Sequence, residues 1–122
     1  MIKCDAFDMQ NPNEALKHIR DNWEVVEDYG SELYNHHLYV FDDGGRILGR
    51  CKKCEQLILL QSSEFHSFSD DGDSYYSDYF PVSSIEEAEK LNELYDGHQI
   101  ESKFKDKWLC KTNSYSIWKN SD

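Results

Sequence analysis

Apolar residues recur at helical spacing in two segments of the chain. In the first segment, Ala15, Leu16 and Ile19 form a stripe that follows Asn11-Pro12. That pair is typical of a helix start, because asparagine caps the first turn and proline is tolerated at its first position. The second stripe runs from a capping box at residues 84–87 to a closing glycine, Gly97. The pattern therefore predicts two amphipathic helices.

Elsewhere the apolar residues alternate with polar ones or form short continuous runs, which is typical of β-strands. The clearest strands are predicted at residues 37–41, 46–51, 56–61 and 75–82. Turn residues at 42–45 separate the first two of these segments and predict a hairpin. Residues 23–28 fit either an extension of the first helix or a strand. Short strands are expected at residues 99–104, 107–111 and 114–118.

These elements predict a single α+β domain over residues 1–122, with a mostly antiparallel sheet and two helices. The sequence has no internal repeat and no linker, and it is long enough to bury a core without disulfide or metal staples. No apolar run approaches the roughly 20 residues of a membrane span, and no apolar leader follows Met1. We therefore expect a cytoplasmic protein whose four cysteines are reduced thiols or metal ligands.

The acidic residues are concentrated in two blocks of a chain whose net charge is −11. Residues 21–45 contain seven acidic residues, residues 55–89 contain nine, and neither block has a lysine or arginine. This charge argues against nucleic acid as a partner, since phosphate is repelled by both blocks. It suits a basic protein partner, although acidity also serves solubility alone.

The segment from Ser67 to Pro81 combines aspartate, tyrosine and serine without any positive charge. Tyrosines supply rigid contact area and aspartates supply negative potential, which together favour docking onto a basic surface. The alternative is an acidic loop whose tyrosines turn back to the core as part of a strand. The residues expected on the binding surface are Asp70, Asp71, Asp73, Tyr75, Tyr76, Asp78 and Tyr79.

The motif Cys51-Lys52-Lys53-Cys54 lies between two predicted strands. Two thiolates with this spacing can bind one tetrahedral ion from a tight turn, so the segment resembles half of a zinc ribbon. It departs from the usual knuckle at Glu55, where a glycine is expected. Because chain ends often lie close together, Cys4 and Cys110 are candidate co-ligands. His66 or His98 could take the place of either cysteine. A reduced structural pair without metal is the alternative, and His18 is expected on the surface without a function.

Catalytic motifs are not evident in the sequence. It has no glycine-rich phosphate loop, no Gly-x-Ser-x-Gly and no His-Glu-x-x-His. A pair formed by Cys110 and His98 would have no activating neighbour. We therefore do not expect an enzyme.

Four segments together resemble small bacterial immunity proteins of polymorphic or contact-dependent toxin systems. The resemblance covers residues 46–101 and leaves both ends unmatched. The segments are Arg50-Cys51-Lys52-Lys53-Cys54, Gln61-Ser62-Ser63-Glu64-Phe65-His66, Asp78-Tyr79-Phe80-Pro81-Val82 and residues 86–97.

The resemblance implies a cytoplasmic protein that protects against contact-dependent growth inhibition. Such a protein binds a cognate toxin domain, often a nuclease with a basic site, and blocks that site. The acidic, tyrosine-rich segment fits this role, because charge complementarity speeds the capture of a basic partner. The alternative from another class is a small zinc-binding structural or adaptor module.

Overall fold

The computed structural model describes residues 5–30, 43–65, 74–94, 100–101, 104–113 and 115–120. A short 3-10 helix, Asp5–Asp8, precedes the first α-helix. The α-helices are α1 (Pro12–Asp21) and α2 (Ile85–Leu94). The strands are β1 (Trp23–Gly30), β2 (Asp43–Cys51), β3 (Leu57–Phe65), β4 (Ser74–Val82), β5 (Trp108–Lys111) and β6 (Ser116–Lys119).

Within the described residues, the strands form one six-stranded sheet in the order β1-β2-β3-β4-β5-β6. Every neighbouring pair is antiparallel, so the sheet is a meander. The α+β prediction, with an antiparallel sheet and two helices, is confirmed.

The two faces of the sheet are covered by different segments of the chain. Because side chains alternate along a strand, the neighbours Ile58 and Leu59 belong to opposite core clusters. The first face packs against the 3-10 helix and α1, through Phe7, Leu16 and Ile19. The second face packs against α2 and the segment of Ile100 and Phe104. Each fully buried large apolar side chain contributes about 1.5–3 kcal/mol to the free energy of folding.

Both predicted helix starts are observed. The Asn11 side chain accepts a hydrogen bond from the backbone N–H of Asn13 at 2.9 Å. At the start of α2, the Ser84 hydroxyl accepts one from the backbone N–H of Glu87 at 3.1 Å. These bonds satisfy amide groups that have no partner within the helix. The predicted end of α2 at Gly97 lies outside the described residues.

The predicted strands at 46–51, 56–61, 75–82, 107–111 and 114–118 correspond to β2, β3, β4, β5 and β6. The remaining predicted segments have different outcomes. Residues 23–28 form a strand, which was one of the two alternatives. Residues 43–45 are not a turn but the start of β2, where Gly44 and Gly45 pair with Ser63 and Ser62 of β3. The hydrogen-bonding edge of β3 outweighs the turn preference of glycine. The predicted strand at 37–41 lies outside the described residues.

The predicted strand at residues 99–104 is also wrong where the structure describes it. Ile100 and Glu101 are helical, and the Phe104 N–H donates to the Ile100 carbonyl at 2.8 Å. Both apolar side chains are buried on the second face. Ile100 and Phe104 are spaced by one helical turn, so their pattern fits a helical turn better than a strand.

Candidate metal centre

The last turn of α1 lies beside the turn that joins β2 to β3. The chain passes directly from α1 into β1, whose first residue, Trp23, pairs with Cys51 at the end of β2. The backbone N–H of Lys52 donates to the carbonyl of Asn22 at 2.8 Å. The end of the helix is therefore fixed against the Cys51–Cys54 segment, and His18 lies one turn before that end.

His18, Cys51 and Cys54 bring one nitrogen and two sulfur atoms together. His18 Nε2 is 3.5 Å from the Sγ atoms of both cysteines, and all three atoms lie within 4.8 Å of one another. A zinc ion with a Zn–N bond of about 2.05 Å and Zn–S bonds of about 2.3 Å at tetrahedral angles places nitrogen and sulfur about 3.5 Å apart. The observed nitrogen–sulfur separations therefore match a tetrahedral site.

The three side chains differ in their exposure to solvent. Cys51 is fully buried in the first core cluster, whereas His18 and Cys54 are half-buried. An ion could reach the site from solvent on the side of His18 and Cys54, because these two side chains are partly exposed, whereas Cys51 closes the other side. Among the residues that the structure describes, this is the one group of donors close enough to share a metal.

The cysteine turn has a backbone conformation that favours glycine after its second cysteine. Glu55 has φ of 63°, in the left-handed region, and its N–H donates to the Cys51 carbonyl at 2.7 Å. The Cys51 N–H in turn donates to the carbonyl of Gln56 at 2.9 Å. A residue with a Cβ is strained at this φ by about 1 kcal/mol or more. The glycine expected here is missing from the sequence, but the backbone conformation that it would serve is present.

Cys110, predicted as a co-ligand, lies away from the site. Trp108 belongs to the second core cluster and Leu109 to the first, so strand alternation places Cys110 on the second face, opposite Cys51. Burial and the nearby carboxylate of Asp78 raise the pKa of the Cys110 thiol to about 12, which keeps it protonated. The prediction that Cys110 joins the site is therefore corrected. Cys4, His66 and His98 lie outside the described residues.

His18 is the ligand candidate that sequence reasoning missed. It was expected on the surface without a function, but it follows Ala15 by three residues, and this spacing places it at the border of the apolar face of α1. The signal available in the sequence is a histidine at the border of the apolar stripe of α1. Its partial burial and its place beside the Cys51–Cys54 turn follow from the pairing of β1 with β2, which no local pattern indicates.

The structure divides the residues predicted for the acidic binding surface. Asp78 is 1% exposed and Tyr79 is 5% exposed, so neither belongs to an exposed surface, and that part of the prediction is corrected. The reason is that β4 is a central strand whose two faces are both covered. Tyr76 is half-buried and Tyr75 pairs with Glu64 in the sheet. Asp70, Asp71 and Asp73 lie outside the described residues.

Asp78 belongs instead to a polar group in the second face. Its Oδ1 accepts a hydrogen bond from Trp108 Nε1 at 3.0 Å. Burial, followed by the negative charge of Glu101, raises the pKa of Asp78 to about 6. In register with it, on the neighbouring strand, Gln61 is fully buried and accepts a hydrogen bond from Arg46 Nε at 2.9 Å. These groups lie across the sheet from the metal-site candidate.

Comparisons of this chain with family models, with curated proteins and with solved structures found no match. Within the described residues, none of the helices has the length and apolar character needed to cross a membrane. The basis for a functional proposal is therefore the geometry of the site itself.

Proposed function

We propose that this domain binds one zinc ion through His18 Nε2 and the Sγ atoms of Cys51 and Cys54, and that the ion clamps α1 to the turn between β2 and β3. The observation that carries this proposal is the equal separation of 3.5 Å between His18 Nε2 and each sulfur. Two thiolates and one imidazole form a donor set that suits zinc better than calcium or magnesium, which prefer oxygen ligands.

The role proposed for zinc is structural. The ion would join residues that are 33 and 36 positions apart in sequence, and metal binding of this kind contributes directly to the free energy of folding. At a free zinc concentration 1,000 times the dissociation constant, the stabilisation is about 4 kcal/mol. A cytoplasmic setting, where thiols stay reduced, belongs to the same proposal.

A structural zinc site normally has four protein ligands. Cys4 remains a candidate fourth ligand, with His66 and His98 as its substitutes. It directly precedes the 3-10 helix Asp5–Asp8, whose Ala6 and Phe7 share a core cluster with Cys51.

The proposal is tested by measuring zinc affinity through competition with a chromophoric chelator under reducing conditions. We expect His18→Ala, Cys51→Ser and Cys54→Ser each to weaken zinc binding at least 100-fold. Cys110→Ser is the matched control, because its thiol lies on the opposite face of the sheet, and it should bind zinc as the unchanged protein does. Cys4→Ser tests the fourth ligand. Equal affinity in the His18→Ala variant and the unchanged protein would show that the site is not the one described.

A second candidate function is neutralisation of a toxin domain, as the resemblance to immunity proteins implies. One observation favours an acidic docking surface on this fold. Strand β1 lies at an edge of the described sheet, where Val25 is 57% exposed and Glu27 and Asp28 are also exposed. An exposed apolar side chain on a strand that also exposes two carboxylates suits a basic protein partner, although the neighbouring Glu24 is paired with Arg50. Asp70, Asp71, Asp73, Tyr75 and Tyr76 remain part of this proposal, whereas Asp78 and Tyr79 do not.

Charge reversal tests which of two acidic segments, the one with Glu27 and Asp28 or the one with Asp70 and Asp71, binds the toxin domain. The partner would be a toxin domain isolated with the protein from the producing cell, and its affinity would be measured by calorimetry. We expect either Glu27→Lys with Asp28→Lys, or Asp70→Lys with Asp71→Lys, to weaken binding at least tenfold while the fold is retained. If neither double variant changes the affinity, the acidic surface is not the toxin-binding surface.

A further inference from the structure

We infer that Asn22 is a positioning residue of the proposed zinc site, which holds the His18-bearing turn of α1 in register with the cysteine turn. This inference rests on the proposed function and assigns Asn22 no contact with the ion itself. Its basis is a set of hydrogen bonds that connect one residue to both halves of the site.

The first half of the site is contacted by the Asn22 side chain. Helix α1 ends at Asp21, and Asn22 follows as its C-terminal cap with φ of −119° and ψ of 17°. In a continuing helix, the backbone N–H of Asn22 would donate to the carbonyl of His18, four residues earlier. It donates instead to the carbonyl of Ile19 at 3.3 Å. The side-chain Nδ2 of Asn22 donates to the His18 carbonyl at 2.8 Å in its place.

The second half of the site is contacted by the Asn22 backbone. The Asn22 carbonyl accepts a hydrogen bond at 2.8 Å from the backbone N–H of Lys52, the residue that directly follows Cys51. The next residue, Trp23, makes the first pair of β1 with Cys51. Asn22 therefore stands between the last helical turn and the first strand pair, and hydrogen bonds from this one residue reach both of them.

A substitution at position 22 removes the side-chain hydrogen bond to His18 but keeps the backbone hydrogen bond to Lys52. Without Nδ2, the His18 carbonyl loses its donor, while the backbone bond to Lys52 and the pairing of Trp23 are retained. The last turn of the helix can then unwind or rotate, and with it the imidazole. Groups that hydrogen-bond a metal-ligating side chain directly typically change metal affinity by 10- to 100-fold when they are removed. Asn22 holds the backbone of the ligand residue instead, so we expect an effect at the lower end of this range.

A double-mutant cycle separates this role from a general loss of stability. The measurement is the affinity for zinc, by chelator competition, of the unchanged protein, Asn22→Ala, His18→Ala and the double variant. We expect Asn22→Ala to weaken zinc binding about tenfold when His18 is present. In the His18→Ala background, the same substitution should weaken binding by less than twofold, because there is no imidazole left to position.

Asn11→Ala provides the matched control. Asn11 caps the same helix at its other end through its bond to the Asn13 N–H at 2.9 Å, so its loss also weakens α1. We expect Asn11→Ala to leave zinc affinity within twofold in both backgrounds. Circular dichroism of each metal-free variant would show whether the total helix content falls equally in Asn11→Ala and Asn22→Ala.

Three results would overturn the inference. Asn22→Ala and Asn11→Ala could weaken zinc binding equally, or Asn22→Ala could act equally with and without His18, and either result would reduce Asn22 to a general stabilising role. An unchanged affinity in Asn22→Ala would also contradict it. If the unchanged protein itself binds no zinc, the proposed function fails first, and that outcome is distinct from the other three.

Discussion

Replacing Asp78 by asparagine should stabilise the protein at neutral pH. The carboxylate is 1% exposed, and burial with the negative charge of Glu101 raises its pKa from 3.8 to about 6. At 1.36 kcal/mol per pKa unit, this difference corresponds to about 3 kcal/mol. Asparagine has nearly the same shape and carries no charge, and its side-chain oxygen can still accept the hydrogen bond that Trp108 Nε1 donates at 3.0 Å.

The sign follows from proton binding. Between pH 3.8 and about 6 the folded state holds a proton on Asp78 that the unfolded chain releases, so stability falls as pH rises through this window. Above it, the folded protein carries the full cost of a buried carboxylate. We therefore expect the free energy of unfolding of Asp78→Asn to exceed that of the unchanged protein by up to about 3 kcal/mol at pH 7–8. This difference should vanish near pH 4.

Urea unfolding at a series of pH values, followed by tryptophan fluorescence, measures this difference directly. Comparing the two proteins at each pH cancels the titration of the groups that do not interact with Asp78; Glu101 and Cys110 interact with it, so their titration contributes to the measured difference. A difference that does not change with pH, or an Asp78→Asn variant that is less stable at every pH, would refute the assignment of Asp78 as a buried, destabilising carboxylate.

Two further substitutions test the region around the cysteine turn. Glu55→Gly should raise the free energy of unfolding by about 0.5–1 kcal/mol in urea titrations, because glycine adopts a φ of 63° without strain. Glu55→Ala is its control and should give no gain; a loss of stability in the glycine variant would contradict the reasoning. Gly49→Ala should cost about 1–3 kcal/mol in the same titration. A Cβ at Gly49 would lie 2.2 Å from the Trp23 ring, and an unchanged unfolding curve would show that the ring moves away freely.

Local signals in the sequence predicted much of the fold. Asn11 and Ser84 were predicted to begin helices and they do so, since their side-chain oxygens accept the backbone N–H bonds for which these residue types are selected. The apolar run at residues 57–60 was predicted as a central strand, and it lies in β3, between β2 and β4. These predictions depend on interactions between residues close together in the chain.

The errors arose where contacts between distant segments decide the structure. Gly44 and Gly45 have the composition of a turn, but β3 offers them a strand partner. Asp78 is a residue type that is usually exposed, but its strand, β4, lies between β3 and β5, and both faces of the sheet are covered there. No local pattern in β4 indicates how many strands lie on either side of it, so its burial could not be predicted.

The sequence predicted the two cysteines of the site but not the histidine, because only the cysteine spacing is a local signal. The spacing of Cys51 and Cys54 is a local signal and identified both thiols. Their neighbour His18 lies 33 positions before Cys51. The pairing of Trp23 with Cys51 and the hydrogen bond from Lys52 to Asn22 bring α1 to the cysteine turn, and both are contacts between distant segments. The tendency of chain ends to lie close together predicts Cys110 as a co-ligand, but it carries no information about which face of the sheet its side chain occupies.

The most direct test of the account is the zinc content of protein purified without chelators under reducing conditions. Native mass spectrometry and elemental analysis should find one zinc ion per chain in the unchanged protein and in Cys110→Ser, and much less in His18→Ala. Removal of the ion should lower the midpoint of thermal unfolding by about 15 °C, the equivalent of about 4 kcal/mol for a chain of this size. Zinc-free protein that also fails to bind added zinc, and whose unfolding does not respond to the metal, would contradict the account.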